Sequence, residues 1–351
     1  MSAQTFQLPN LFSHCKFPLR YHLNGDNIAS ESDDWYRNGF PTFPPQQEAR
    51  LSALLASNVA ASIYDDAENQ HVRAACDLMN LILLYGDFTD DLASQENQAI
   101  ADAVADIFHE PSASFPGFEN DSLQDIPVIN LSQDFWQRCM QDAPSGFLLR
   151  FTENIVGFLT ARRIQSRHRD TGFVPDLDTY ITIRRDTSGL KPLIDFLEYT
   201  LQIDIPDHVI NHPVLETMKD CTNDFATWSN DLYSFNKEQA RDDPYNMVAI
   251  LMNRYDMDLQ SAVDAVGDMC VAALEEFEVL KDHLPSWEPS IDEAVSRYIQ
   301  GLENWFVACL HWSFLSGRYF GKDGLRIRET HIVHILPKKK QINLTASDTS
   351  V

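Results

Sequence analysis

Apolar residues recur every three or four positions along most of this chain, and almost nowhere do they alternate with period two. From residue 46 onward the pattern predicts helices over about 46–60, 66–87, 94–109, 132–142, 147–166, 176–185, 190–201, 212–240, 244–252, 257–282 and 289–319. Proline, glycine and serine collect between these segments, at 111–116, 143–146, 174–175 and 285–289, where the chain must reverse. No spacing repeats, which argues against a helical solenoid. Residues 1–45 hold few periodic stretches and end in a proline-rich segment, so they read as an irregular arm held on the core by Trp35, Tyr36 and Phe40. Residues 321–351 turn polar and basic, with Lys338, Lys339 and Lys340, and read as a loose tail. The expectation is an all-α, single-domain helical bundle over 46–320.

Composition narrows the partners. With 27 basic and 52 acidic residues the net charge is 27 − 52 = −25, so nucleic acid and anionic membrane surfaces are poor partners for the molecule as a whole. A small anion binds such a chain only where its few cations converge. The cysteines, Cys15, Cys76, Cys139, Cys221, Cys270 and Cys309, show no paired spacing, which points away from a disulfide framework or a zinc site and toward a reducing compartment. The first ten residues lack the basic start and apolar run of a signal peptide, and no window reaches the roughly 18 apolar residues of a membrane span. A cytoplasmic protein is expected. His331 and His334 have no acid or cysteine nearby and read as part of the surface tail.

Two stretches carry unusual chemistry. In the helix predicted at 212–240, Asn230, Ser234 and Glu238 fall about 40° apart, one turn above another, and form a column of oxygens. On a continuing helix Lys237 and Arg241 return to within about 20° of that column. Oxygen donors of mixed charge suit a hard cation such as Mg²⁺, and the cations beside them suit an anionic substrate. In residues 77–91 an apolar helix runs into Asp87, Asp90 and Asp91. Asp87 and Asp91 lie one turn apart with Asp90 on the adjacent row; stacked carboxylates repel unless a cation joins them, and acids at a helix end oppose its dipole. Arg184 and Arg185 stand just ahead of a turn at Ser188 and Gly189; a guanidinium grips phosphate oxygens in pairs, although adjacent arginines in an acidic protein also serve as ion-pairing residues.

The string Asn230, Asp231, Ser234, Lys237, Glu238 resembles the second metal-binding motif of class I terpene synthases. That resemblance implies that Asn230, Ser234 and Glu238 hold one Mg²⁺ and that Lys237 touches the substrate diphosphate. The acid cluster resembles the aspartate-rich first motif of fungal sesquiterpene synthases in either of two registers. One places Gly86 where the motif has its leading acid; the other starts at Asp87 and makes Asp87 a ligand, with Asp91 or Asp90 second. Arg184 precedes Asn230 by 46 positions, as the diphosphate-sensing arginine of the family does, and Ser188 matches the effector position, where a backbone carbonyl assists ionisation. Arg318 and Tyr319 resemble the closing Arg-Tyr motif, a further diphosphate contact. The four motifs occur in the family's order across about 77–320.

What the resemblance implies is a class I terpene synthase fold around a central cavity, three Mg²⁺ ions, and conversion of farnesyl diphosphate to a sesquiterpene or sesquiterpene alcohol. Trp305, Trp312 and Tyr319 recur every seven residues and place aromatics along one face of the last long helix, and Phe88 lies beside the acids; aromatic faces stabilise cations by roughly 0.5 to 2 kcal/mol without offering a nucleophile. No serine-protease triad, nucleophilic cysteine motif, dinucleotide fingerprint or Walker loop is present to support other chemistry. A chain-elongating prenyltransferase would carry a second aspartate-rich motif in place of Asn230, Ser234 and Glu238. The remaining alternatives are a linear terpene alcohol synthase, an enzyme acting on geranyl diphosphate, or an inactive diphosphate-binding relative, the last prompted by Gly86. A monomer or homodimer is expected.

Overall fold

A computed structural model of the chain describes residues 4–40, 45–89, 94–109 and 126–338, with the backbone alone at 87–89 and 94–95. The first half of the bundle comprises α1 (Gly25–Asn38), α2 (Pro45–Leu54), α3 (Ala56–Ile63), α4 (Asn69–Thr89), α5 (Ser94–His109), α6 (Pro127–Cys139), α7 (Ser145–Thr171) and α8 (Leu177–Thr187). It continues with α9 (Leu190–Leu201), α10 (Asp207–Ile210), α11 (Pro213–Gln239), α12 (Met247–Tyr255), α13 (Leu259–Lys281), α14 (Pro289–Leu315), α15 (Gly317–Phe320) and α16 (Gly324–Thr330). The described sheet is one antiparallel pair, β1 (Thr5–Gln7) with β2 (Ile332–His334), in which Phe6 faces Val333. Among the described residues no helix is long and apolar enough to cross a membrane, and all six cysteines are free thiols.

Helix starts follow local chemistry. Asp176, Asn246 and Asp258 accept backbone N–H groups at the heads of α8, α12 and α13. Proline opens α6, α11 and α14, where its missing N–H costs nothing. At the centre lies α9, every residue of which is buried except Lys191. Its polar groups are therefore all paired. Arg150 forks onto Glu198 through bonds of 2.8 and 2.9 Å, Asn154 donates to Asp195 at 2.6 Å, and the Tyr64 hydroxyl donates to the Leu193 carbonyl at 2.6 Å. Phe135, Phe147 and Phe151 pack round Phe196 with ring centroids 5.7 to 5.8 Å away.

Four expectations are corrected. The segment read as an irregular arm contains α1, whose buried stripe of Ile28, Ala29, Ser32 and Tyr36 is too polar to announce itself. It docks on α3 and α4 through a buried network in which Asn80 donates to Ser32, Asp33 and Ser57. The predicted 46–60 helix is two helices, broken at Leu55 by a left-handed residue (φ 53°). The 289–319 helix ends at Leu315, where Ser316 turns extended, so Tyr319 sits on α15 rather than on the helix of Trp305 and Trp312. The described part of the tail, to residue 338, packs on the bundle: Val333 is buried, and Asn236 of α11 donates to His334 O at 2.8 Å and accepts from Leu336 N at 2.9 Å.

Gly189 joins α8 to α9 at φ +73°, and a Cβ there would lie 2.4 Å from Ile82 Cγ2. Gly189→Ala is expected to destabilise the protein by about 1–3 kcal/mol from overpacking, with the positive φ adding to it, read as a lowered denaturation midpoint. Burial pushes the Asp195 carboxyl up to about 6, against the lowering effect of the Asn154 hydrogen bond. An acid whose folded pKa is raised binds its proton more tightly in the fold, so the stability it contributes falls as pH rises from about 4 to 6. Denaturation midpoints taken across that window should fall less steeply for Asp195→Asn than for the wild type, the difference being on the order of 3 kcal/mol.

Candidate active site

Helix α11 is buried along most of its length, so every polar side chain it carries needs a partner. Asp231 has four. Its Oδ1 accepts from Arg184 Nε and Nη2 at 3.1 and 3.0 Å, and its Oδ2 accepts from the Tyr180 hydroxyl at 2.5 Å and Met247 N at 3.1 Å. Burial works against the Arg184 guanidinium, but Asp231, Tyr180 and Glu238 together outweigh it, and the arginine pKa rises above its usual value. The two adjacent arginines part company: Arg185 turns to α11 upstream and forks onto Asp224 at 2.6 and 2.7 Å, with Asp220 at 2.9 Å. Both arginines pair with acids of α11, and Arg184 is the one that also reaches Asn230.

From Arg184 a bonded run leads across the site. Its Nη2 also donates to Asn230 Oδ1 at 3.0 Å, and Asn230 Nδ2 donates to the Tyr319 hydroxyl of α15. Lys237 Nζ donates to the backbone carbonyl of Arg318, whose guanidinium lies 6.0 Å from the Tyr319 ring. Burial raises the Tyr319 hydroxyl to about 12, so it enters the site as a neutral donor. Sequence motifs 46 and 89 residues from Asn230 therefore meet at one point.

Down the column, Glu238 Oε2 accepts from Asn246 Nδ2 at 2.8 Å, and Ser234 Oγ lies 3.5 Å from the same nitrogen. Burial first, and then the charges of Asp231 and Asp243, pushes the Glu238 carboxyl up to about 7; the Asn246 bond and Arg184 act the other way. Arg241 does not join this face. The helix ends at Gln239, Asp242 turns left-handed at φ 58°, and Arg241 is exposed in the loop.

Beside the polar run lies a cavity of about 80 Å³, whose described lining includes Met79, Leu83, Trp305, Cys309 and Trp312, with Arg184, Ser188, Asn230 and Tyr319 at its polar side. Trp312 and Tyr319 meet edge to face, centroids 5.6 Å apart, and the Trp312 indole donates to Leu54 O at 2.5 Å. Ser188 is held from α11: its hydroxyl is 3.2 Å from Asn223 Oδ1, and Asn223 Nδ2 donates to Arg185 O at 2.9 Å. The side chains of Asp87 and Phe88, and the whole of Asp90 and Asp91, lie outside the described residues. The backbone of α4 places Asp87 one turn beyond Leu83, on the row that lines the cavity. A Cβ on Gly86 would instead point at Arg162 of α7, 3.1 Å from its Nη2.

Tyr180, Asn223, Asp231 and Asn246 were not singled out for roles by the sequence reading. Asp231 stood inside the quoted motif without a function, and Asn246 carried a legible signal as a polar residue directly ahead of an apolar helix.

Comparison with known proteins places this arrangement. The family model described as terpene synthase family 2, C-terminal metal binding, matches residues 77–276. The chain is 42% identical over 337 residues to sesquiterpene synthase Agr3 of Cyclocybe aegerita, covering 95% of this chain and 94% of that protein. It is 39% identical over 335 residues to alpha-muurolene synthase of Coprinopsis cinerea, covering 95% and 79%. The fold is similar to the crystal structure of α-eudesmol synthase, with a TM-score of 0.77 at 20% identity over 86% of this chain and 98% of the other. It is likewise similar to germacradien-4-ol synthase from Streptomyces citricolor, with a TM-score of 0.72 at 20% identity over 85% and 96%.

Removing the Asp231 charge strands a buried guanidinium. Asp231→Asn is expected to cost about 3–5 kcal/mol, measured as a lowered midpoint in denaturant titration.

Proposed function

The chain belongs to the terpene synthase family, and from that premise we propose that it is a sesquiterpene synthase, a lyase that ionises farnesyl diphosphate, folds and cyclises the freed carbocation, and releases diphosphate. The observation that carries the reading is the hydrogen-bonded run from Arg184 through Asn230 to Tyr319 at the polar side of an aromatic-lined cavity. The relatives named as sesquiterpene synthases support the fifteen-carbon substrate. One catalytic domain, to which α1 and the β1–β2 pair also belong, acting in the cytoplasm as a monomer or homodimer, completes the reading.

Asn230, Ser234 and Glu238 offer an amide, a hydroxyl and a carboxylate oxygen in a row, and the negative charge crowding Glu238 is what a cation would relieve. That donor set fits Mg²⁺; Asp87 with Asp91 or Asp90 would be the further ligands, and three ions are expected in all. When bound, Mg²⁺ draws off negative charge as the allylic carbon–oxygen bond breaks. Arg184, Lys237, Arg318 and Tyr319 bind the diphosphate and stabilise the charge that develops on it as it leaves. Arg184 acts as sensor and the Ser188 carbonyl, in the turn fixed by Gly189 and Asn223, as effector. Trp305 and Trp312, with Phe88, stabilise the cation through their faces. The released diphosphate is the closing base in this reading.

The direction of Gly86 supports the register that begins at Asp87, and with it an active enzyme rather than an inactive diphosphate-binding relative.

Incubating purified protein with farnesyl or geranyl diphosphate, with and without Mg²⁺, and analysing the extract by gas chromatography and mass spectrometry tests the reading. A fifteen-carbon cyclic product that requires Mg²⁺ is expected; no product from either substrate would sink it. Asn230→Ala and Glu238→Ala should each abolish turnover while leaving the helical signal and melting temperature nearly unchanged. Gly86→Asp should leave both the Mg²⁺ requirement and the product ratio as they are, and a change in either would favour the register that starts at Gly86.

A further inference from the structure

After α11 ends, the chain loops back and lays one side chain against the oxygen column. Asn246, eight residues beyond Glu238, is completely buried. Its Oδ1 accepts from Val248 N at 2.9 Å and caps α12, which fixes which way the amide faces. Its Nδ2 is thereby aimed at α11, where it lies 2.8 Å from Glu238 Oε2, 2.8 Å from Asp231 O and 3.5 Å from Ser234 Oγ. The next backbone amide, Met247 N, donates to Asp231 Oδ2, the carboxylate that aligns Arg184. One locked turn thus reaches two of the three column side chains and the partner of the sensor arginine.

We propose that Asn246 is a positioning residue for the metal column: it holds the Glu238 carboxylate in the arrangement that receives a divalent cation, without binding the ion itself. The inference rests on the metal reading of Asn230, Ser234 and Glu238 given above. An amide is the side chain this job requires. Its NH₂ donates to one carboxylate oxygen and leaves the other oxygen and the unused lone pairs for a cation. A lysine here would supply a competing charge, and an aspartate would repel Glu238. Because the Asn246 amide is already fixed by the α12 cap, ordering the Glu238 side chain occurs on folding instead of at the moment of metal binding. Outer partners of metal ligands typically change affinity by about 10–100-fold when removed.

Serine caps helices as asparagine does but is too short to reach Glu238 from this position, so Asn246→Ser separates the cap from the bond to the column. Three quantities are compared between wild type and variant, each on the full chain. They are turnover of farnesyl diphosphate against Mg²⁺ concentration, calorimetric titration of Mg²⁺ in the presence of inorganic diphosphate, and the melting temperature. The half-saturating Mg²⁺ is expected to rise about 10–100-fold in both titrations, with kcat at saturating Mg²⁺ within a few-fold of wild type and the melting temperature within a few degrees. Asn246→Thr, which also caps a helix and is also too short to reach Glu238, serves if the serine variant does not fold. A wild-type-like Mg²⁺ titration in the folded variant overturns the proposal, as does lost turnover that tracks only a lowered melting temperature. Wild-type turnover that is indifferent to Mg²⁺ is a different failure, which removes the metal reading itself.

Discussion

A carboxylate buried on the middle of a long interior helix organises this molecule. Asp231 cannot sit there without cationic and hydrogen-bonding partners, because an unpaired charge in the interior costs far more than the fold has in reserve. Meeting its needs draws in Arg184 and Tyr180 from α8 and the first turn of α12 at Met247. Three helices are fixed relative to one another by one side chain. The same pairing holds Arg184 beside Asn230, so the constraint that keeps the interior neutral also sets the spacing of the groups proposed to grip a diphosphate.

Much of this was legible in the sequence, for reasons that can be named. The helices at 94–109 and 190–201 fall where apolar periodicity places them, because both are packed on broad apolar faces. Asn230, Ser234 and Glu238 share a face by helical arithmetic alone. Arg184 and Tyr319 are tied to them by resemblance, and the fold brings both into hydrogen-bonded contact with Asn230. What periodicity missed was polar or local. Helix α1 docks through Ser32 and Asp33 rather than through a leucine stripe, and the breaks at Leu55 and Ser316 lie in backbone angles that no apolar count records. The distinction between Arg184 and Arg185 was equally invisible, because it depends on which acid of α11 each one meets across the bundle. The role of Asn246 needs the loop after α11 to return, which is a tertiary event.

Burial and polarity are reconciled the same way throughout. Glu198 and Asp195 on α9 are matched by Arg150 and Asn154 of α7, Asp77 by Arg73 and Arg138, and Asp224 by Arg185. In each case a helix that would otherwise be free to slide or turn is given one register by a directional contact. Around the cavity that precision matters, since the residues lining it come from at least α3, α4, α8, α9, α11, α14 and α15.

The pairing of β1 with β2 has a consequence in time. Strand β2 and the two residues that follow it are grasped by Asn236 and Gln239, on the last turns of the helix that carries the oxygen column. During synthesis α11 emerges from the ribosome about a hundred residues before the strand that secures its end. The contacts that Asn236 and Gln239 make with this segment therefore form last, when the final strand appears and closes onto the first.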